Sequence, residues 1–282
     1  MKVNVHDIIY NVDVSGSGEP LLLLHGFTGD HTTWNVAKAF LEEKYQIFSI
    51  DLLGHGLTEI PINIERYEIR KAARDIASIL KENEIEKVHL LGYSMGGRLA
   101  LTFAILYPEM IQTLILESAS PGLKTSIERE KRQEQDRKLA EKIVAEGIES
   151  FVSYWENIPL FSSQKTLALE VQKAIRQQRL NNSPLGLSNS LLGMGTGVQP
   201  SWWESLTQLD MPVLLVTGAL DVKFCKIAEE MKLRLQHSRH VIFDRCGHAI
   251  HVEEPEKFAT IVGEFLGDYI KGGRFYENRV DK

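Results

Sequence analysis

Val88-His89-Leu90-Leu91-Gly92-Tyr93-Ser94-Met95-Gly96-Gly97-Arg98-Leu99 joins an apolar run to a helical pattern through Gly-x-Ser-x-Gly. The run from Val88 to Leu91 reads as a buried strand, and Leu99, Phe103 and Leu106 mark the helix that follows. Glycines two residues either side of a serine suit a strained strand-to-helix turn, where side chains at those positions would clash. Such a turn lifts the Ser94 hydroxyl over the carboxyl edge of a sheet and aims the N-terminus of the next helix at it. The bland alternative is a glycine-rich turn that merely starts a helix; the strand before and the helix after favour the first reading.

The same rhythm continues on both sides. Val3 to Tyr10 and Asn11 to Val14 read as an opening hairpin. Leu21 to Leu24 ends at His25-Gly26, Gln46 to Ile50 ends at Asp51, Thr113 to Leu116 ends at Glu117, Val213 to Thr217 follows Met211-Pro212, and Arg239 to Phe243 is the last short run. Unbroken apolar strands separated by helices indicate a parallel sheet buried on both faces. Ile69, Ala72, Ala73, Ile76 and Leu80 repeat at helical spacing, as do Phe258, Ile261, Val262 and Phe265. From Pro121-Gly122 to about Gln208 no strand is convincing, and the pattern is helical with loops at Asn181 to Pro184 and Gly193 to Gly197. The expected class is therefore α/β, a mostly parallel central sheet flanked by helices. Residues 1–120 and 209–282 make the core, and 121–208 make a helical cap. The polar tail from Lys271 to Lys282 is expected to fray.

A chain of 282 residues can bury a sizeable core. With Lys+Arg 32 against Asp+Glu 38, the formal charge is −6 and no basic block occurs, which argues against nucleic acid or an anionic membrane as main partner. Cys225 and Cys246 are too few for a disulfide framework and lack zinc-ligand spacing; both read as packing thiols. The charged N-terminus reads as a strand without an apolar signal core, and no run is long enough to span a membrane. A cytoplasmic setting is expected.

A serine hydroxyl needs a base, and the base an orienting carboxylate, in the chain order Ser, Asp, His. Asp221 follows the strand ending at Thr217, and His248 follows the last strand, so both fall at the sheet edge where Ser94 is placed. Asp210 lies at the wrong edge and Asp244 too close to the histidine's own loop. His251 makes a His-x-x-His with His248, but no third ligand or second His-rich segment accompanies it, so no metal is expected. The oxyanion hole is assigned to the backbone N–H groups of Met95 and Phe27, the latter in His25-Gly26-Phe27-Thr28-Gly29. His25 and the loop from Asp51 to Gly56 read as structural.

His25-Gly26-Phe27, Asp51 to Gly56, the serine turn, Asp221 and His248 occur in an order that resembles the α/β-hydrolase-fold family over essentially the whole chain. Those motifs are shared by esterases, C–C hydrolases, haloperoxidases and others, so they name no substrate. Finer features are Gly92 to Arg98, His25 to Asp30, Trp155 before Pro159-Leu160-Phe161, Gln178-Arg179-Leu180-Asn181-Asn182, and Pro121-Gly122-Leu123 followed by the stretch from Arg129 to Arg137. Together they resemble the 2-succinyl-6-hydroxy-2,4-cyclohexadiene-1-carboxylate synthase family of menaquinone biosynthesis. The resemblance implies a lyase that removes pyruvate from 2-succinyl-5-enolpyruvyl-6-hydroxy-3-cyclohexene-1-carboxylate, with no metal or organic cofactor. It implies a small tricarboxylate substrate held by Arg98, Arg132 and Arg179, with Tyr93 and Trp155 lining the pocket. Arginine suits this because its planar fork grips a carboxylate bidentately and stays charged. For the cap arginines the alternative is a solvated helix face, with Arg129 or Arg137 as the neighbour to which a role would pass. Two other readings fit the core motifs: a carboxylesterase or C–C bond hydrolase with Ser94 as nucleophile, and a non-catalytic ligand receptor.

Overall fold

In the computed structural model, which describes residues 1–270, one sheet is built from eight strands among those residues. They are β1 (Lys2–Val5), β2 (Ile8–Ser15), β3 (Glu19–Leu24), β4 (Tyr45–Ile50), β5 (Val88–Tyr93), β6 (Ile111–Glu117), β7 (Val213–Gly218) and β8 (Ser238–Phe243), in spatial order β1-β2-β4-β3-β5-β6-β7-β8. Strands β3 to β8 are mutually parallel, while β2 runs antiparallel to both β1 and β4. The fraying expected from Lys271 to Lys282 lies outside the described residues. One expectation is corrected at the start of the chain. The opening hairpin turns at His6-Asp7, both at positive φ (49° and 63°), rather than near Tyr10. That geometry matches the twist of a two-residue hairpin turn, which here forms without glycine.

Nine helices accompany the strands within the described residues. On the core they are α1 (Asn35–Ala39), α2 (Ile69–Glu82) and α3 (Met95–Leu106); then α4 (Ser126–Trp155), α5 (Leu169–Leu180) and α6 (Pro184–Met194); and finally α7 (Val222–Lys232), α8 (Ile250–Glu253) and α9 (Pro255–Ile270). Alternate strand residues feed opposite faces: Leu22, Leu24 and Leu90 pack with α2 and α3, whereas Leu21, Leu23 and Leu91 pack with α1 and α9. This is why the runs are apolar without alternation. Ile69, Ala72, Ala73, Ile76 and Leu80 are buried along α2, as expected from their spacing.

Between Glu117 and Val213 the chain forms no strand and carries α4, α5 and α6. Helix α4 breaks at Gly147 (φ 79°, ψ 174°). Beyond that break Phe151 and Val152 join Ala140, Ile143, Leu187 and Leu191 in a small separate core, against which Phe27 of the β3 loop also packs.

The turn at Ser94 follows from packing. Ser94 sits at φ 52°, ψ −104°, a conformation that costs a non-glycine residue about 1–3 kcal/mol. A Cβ on Gly96 would lie 2.2 Å from the Leu24 carbonyl oxygen, and one on Gly92 would lie 2.4 Å from that of Gly96. Both obstacles are backbone, so the turn closes only with glycine at these two positions. Under the neighbouring loops His25 and His55 pack ring against ring at 5.1 Å. His25 is fully buried; its Nε2 accepts the Leu52 N–H (3.0 Å) and its Nδ1–H donates to the Gly26 carbonyl (2.8 Å), so it is a neutral structural residue. Burial likewise holds His55 neutral, with its pKa lowered to about 3.

Two outcomes follow. Gly96→Ala is expected to lower unfolding free energy by about 2–3 kcal/mol through overpacking against rigid backbone, measured by chemical denaturation; a change of a few tenths would refute the packing account. In the unfolded chain His55 takes up a proton near its ordinary pKa of about 6.5. In the folded chain it resists protonation down to about 3. Its stability contribution is therefore intact above about pH 6.5 and is lost as pH falls from there, by up to about 1.4 kcal/mol per pH unit. His55→Gln should flatten the pH dependence of unfolding between those limits, and a profile parallel to that of the unmodified chain counts against the assignment.

Candidate active site

Three strand ends bring Ser94, Asp221 and His248 together. Asp221 N-caps α7, its Oδ1 accepting the Phe224 N–H at 3.3 Å. Its Oδ2 accepts His248 Nδ1–H at 2.6 Å. His248 Nε2 in turn accepts the Ser94 hydroxyl at 2.9 Å. His248 and Asp221 are only 2% and 8% exposed, so water competes little for these bonds. The arrangement can move a proton from Ser94 to His248 and stabilise the resulting imidazolium on Asp221.

Ser94 opens into a cavity of about 220 Å³, which Phe27, Tyr93, Met95, Arg98, Arg132 and Trp155 also line. Nine of the ten residues singled out from sequence thus meet at one place. As the first residue of α3, Met95 has no intrahelical partner for its N–H. Phe27 follows β3, and its ring stands edge-on to those of Phe151 and Trp155. Tyr93 packs against His248 at 5.4 Å between centroids, and burial followed by the nearby Glu117 raises its pKa well above the ordinary range.

Arg98 is 8% exposed, and its guanidinium donates to two neutral oxygens, the Met194 carbonyl (2.9 Å) and Gln199 Oε1 (2.8 Å). Burial, reinforced by the facing Arg132, lowers its pKa to about 10, so it remains a cation near neutral pH. Arg132 donates to Asp136 Oδ1 at 2.7 Å, one helical turn on. Two arginines therefore line the Ser94 cavity, and of the two only Arg132 is paired with a carboxylate.

Arg179 departs from expectation. It lines a neighbouring cavity, not the one holding Ser94, and stacks on Phe161 with its guanidinium carbon 4.7 Å from the ring centroid. The fallback candidates are accounted for elsewhere: Arg129 donates to the Leu123 carbonyl, and Arg137 lies on an exposed face with Glu134 and Glu141. The residues flanking Arg179 clasp α5 to the β3 loop. Gln178 Nε2 donates to Asp30 Oδ1 at 2.8 Å, and Asn182 Nδ2 donates to the Thr28 carbonyl at 2.9 Å.

The site contains residues that the sequence reading did not select. Phe161 lines both cavities, and Gln199 holds Arg98. Ser118 and Ser120 also line the Ser94 cavity. Ser118 is held at φ 47°, and its buried Oγ has no protein partner, nor has Trp155 Nε1. Its position just past β6, at the same sheet edge as Ser94, was a usable signal.

The two imidazoles of the His-x-x-His spacing each direct Nδ1 to a carboxylate, His248 to Asp221 and His251 to Glu117. Asp30, His31 and Asp51 cluster closely, but their contacts build the loop. Burial works against ionisation of Asp51, yet hydrogen bonds from His31 and from backbone N–H groups hold its pKa down at about 2.

Comparison with known proteins agrees with this geometry. Residues 19–255 match the alpha/beta hydrolase fold family. A Bacillus subtilis (strain 168) protein, provisionally named 2-succinyl-6-hydroxy-2,4-cyclohexadiene-1-carboxylate synthase, is 49% identical over 250 residues, covering 89% of this chain and 91% of that protein. The protein of that name from Enterobacter sp. (strain 638) is 33% identical over 251 residues, covering 89% and 93%. The structure of MenH from S. aureus superposes with a TM-score of 0.88 at 35% identity, covering 93% of this chain and 98% of that one. With the serine turn, the Ser-His-Asp relay and the sheet order all in place, the chain belongs to the α/β-hydrolase fold family, in the branch formed by the 2-succinyl-6-hydroxy-2,4-cyclohexadiene-1-carboxylate synthases.

Proposed function

We propose that this chain is a lyase of menaquinone biosynthesis that eliminates pyruvate from 2-succinyl-5-enolpyruvyl-6-hydroxy-3-cyclohexene-1-carboxylate, leaving 2-succinyl-6-hydroxy-2,4-cyclohexadiene-1-carboxylate. Family membership supports the reading, and one observation carries it: the Ser94 relay opens beside Arg98, a buried cation that meets only neutral oxygens within the protein. An ester hydrolase needs the relay and an oxyanion hole but no fixed cation. A tricarboxylate needs fixed cations as well, and the fork of arginine supplies them.

In this mechanism His248, oriented by Asp221, takes the Ser94 proton as the Ser94 oxygen removes one from the ring carbon next to the succinyl ketone. The C–H electrons pass to the ketone oxygen, which the N–H groups of Phe27 and Met95 stabilise. Collapse of this enolate restores the ketone, shifts the ring double bond and breaks the ring C–O bond, releasing pyruvate as its enolate. No bond forms between Ser94 and substrate. The tight His248–Asp221 contact favours the imidazolium that this proton transfer creates. Arg98 and Arg132 bind carboxylates over the Ser94 cavity, Tyr93 and Trp155 shape its walls, and the helical insertion of residues 121–208 acts as its cap. A cytoplasmic setting accompanies this reading; no helix among the described residues is long and apolar enough to cross a membrane.

The test is pyruvate release from the enolpyruvyl intermediate generated in situ, measured above the spontaneous rate. Ser94→Ala should lose about a thousandfold in kcat while still binding substrate. Activity within about tenfold of the unmodified enzyme would remove Ser94 as the base. Arg98→Ala should raise KM by about 30- to 100-fold through loss of a charge-assisted carboxylate contact; an unchanged KM would move the anion elsewhere. Rapid cleavage of short p-nitrophenyl esters, with covalent trapping of Ser94 by a fluorophosphonate and no pyruvate release, would favour the hydrolase instead.

A further inference from the structure

Arg132 and Asp136 stand one turn apart on α4, and of the two only Arg132 lines the Ser94 cavity. Asp136 is 5% exposed, whereas the Arg132 side chain is 37% exposed. The contrast sets the direction of control: the carboxylate is fixed, and the guanidinium would otherwise sample many rotamers in water. Asp136 Oδ1 accepts the Arg132 Nε–H at 2.7 Å. That bond engages the one donor on the stem side of the guanidinium. The two terminal NH2 groups meet no hydrogen-bond acceptor among the described residues, and they form the fork that grips a carboxylate end-on.

Asp136 is itself held by the glycine-rich stretch from Gly193 to Gly197, at the end of α6. A Cβ on Gly195 would lie 2.7 Å from Asp136 Oδ2, so main chain closes over the carboxylate. Gln133, three residues before Asp136, donates through Nε2 to the Gly197 carbonyl at 2.8 Å and pins the stretch to α4. The Met194 carbonyl of the same stretch accepts from Arg98, and the Gly195 carbonyl accepts the N–H of Gln199, whose side chain also holds Arg98. One segment thus registers both arginines of the cavity. Asp136 Oδ2 has no hydrogen-bond partner among the described residues, which is costly for a buried oxygen. A buried ion pair is weak evidence for stability, so the retained charge points to a role in the site.

We infer that Asp136 is a positioning residue of the site: it aims the terminal fork of Arg132 into the Ser94 cavity and so fixes where a substrate carboxylate comes to rest. The inference rests on the reading of Arg132 as a carboxylate ligand and adds the group that acts through it. A guanidinium free to swing still attracts an anion, but it gives up the paired hydrogen bonds that need a fixed plane. Asp136 also tempers the two cations. Burial, then Arg132, depress the Arg98 pKa, and Asp136 opposes them.

Two substitutions separate aim from charge. Asp136→Asn keeps an oxygen for the Arg132 Nε–H and removes the charge, whereas Asp136→Ala removes both. In the pyruvate-release assay Asp136→Ala should raise KM about tenfold with kcat changed less than about threefold, and Asp136→Asn should stay within about threefold of the unmodified KM. In an Arg132→Gln background, Asp136→Ala should add less than about twofold, since no fork is left to aim. An unchanged KM in Asp136→Ala overturns the inference, as does an Asn variant as impaired as the Ala one. Should Asp136→Ala fail to fold, NMR of the unmodified chain decides. The Arg132 Nε–H resonance, identified by its loss in Arg132→Gln, should lie downfield and exchange slowly with water; rapid exchange overturns the inference. Citrate, a tricarboxylate that cannot undergo the elimination, separates this role from the lyase reading. Citrate binding weakened by both Arg132→Gln and Asp136→Ala, in a chain that releases no pyruvate, keeps the positioning role and discards the lyase. Pyruvate release whose KM responds to Arg132→Gln but not to Asp136→Ala keeps the lyase and discards the positioning role.

Discussion

Glu117, fully buried at the end of β6, ties the serine turn to the histidine loop. Its backbone carbonyl accepts the Ser94 N–H at 2.8 Å. Its carboxylate accepts the backbone N–H of His251 at 3.1 Å and the Nδ1–H at 2.9 Å. His251 stands three residues after His248, so a single residue fixes both partners of the Ser94–His248 contact. Tyr93, in register with Glu117 across β5 and β6, wedges its ring against His248 and His251. Two loops that each wandered by a fraction of an ångström would lose that hydrogen bond; a buried charge-assisted tie on a rigid strand prevents it.

This tie also explains what in the sequence was readable. Ser94, Asp221 and His248 were legible because a parallel sheet places successive strand ends at one edge, and the order of the three residues then suffices. Strands buried on both faces announce themselves as unbroken apolar runs. His251 carried a different message, since its spacing from His248 invites a metal reading and only the buried Glu117 reveals an anchor. The hairpin turn was misplaced because His6 and Asp7 take up positive φ where no glycine marks it. The insertion hid most. Helical periodicity along α5 shows that Arg179 lies on a face, but which cavity that face meets depends on how Phe161 packs. Gln199 and Arg98 are about a hundred residues apart, and no local pattern joins them.

Charge is distributed against its average. The chain as a whole is acidic, yet its buried side chains include Arg98 at the Ser94 cavity and Arg179 at the neighbouring one, each held by neutral oxygens. Net charge governs solubility and long-range encounter, whereas a cavity walled by apolar side chains responds to the few charges inside it, because the low local dielectric magnifies them. The aromatic wall of Phe27, Trp155 and Phe161 supplies those conditions around Ser94.

The two buried guanidinium groups place recognition and folding in opposition. Each is withdrawn from water by folding and receives from the protein only uncharged acceptors, so the polypeptide by itself sits below the stability that apolar side chains of similar volume would give it. An anion that satisfies them binds the folded state and not the unfolded one, and so adds to the stability of the fold. Resistance to heat and proteolysis should then track the supply of the acidic metabolite. Drift toward a sturdier protein at Arg98 or Arg179 would pass through variants that fold better and recognise less.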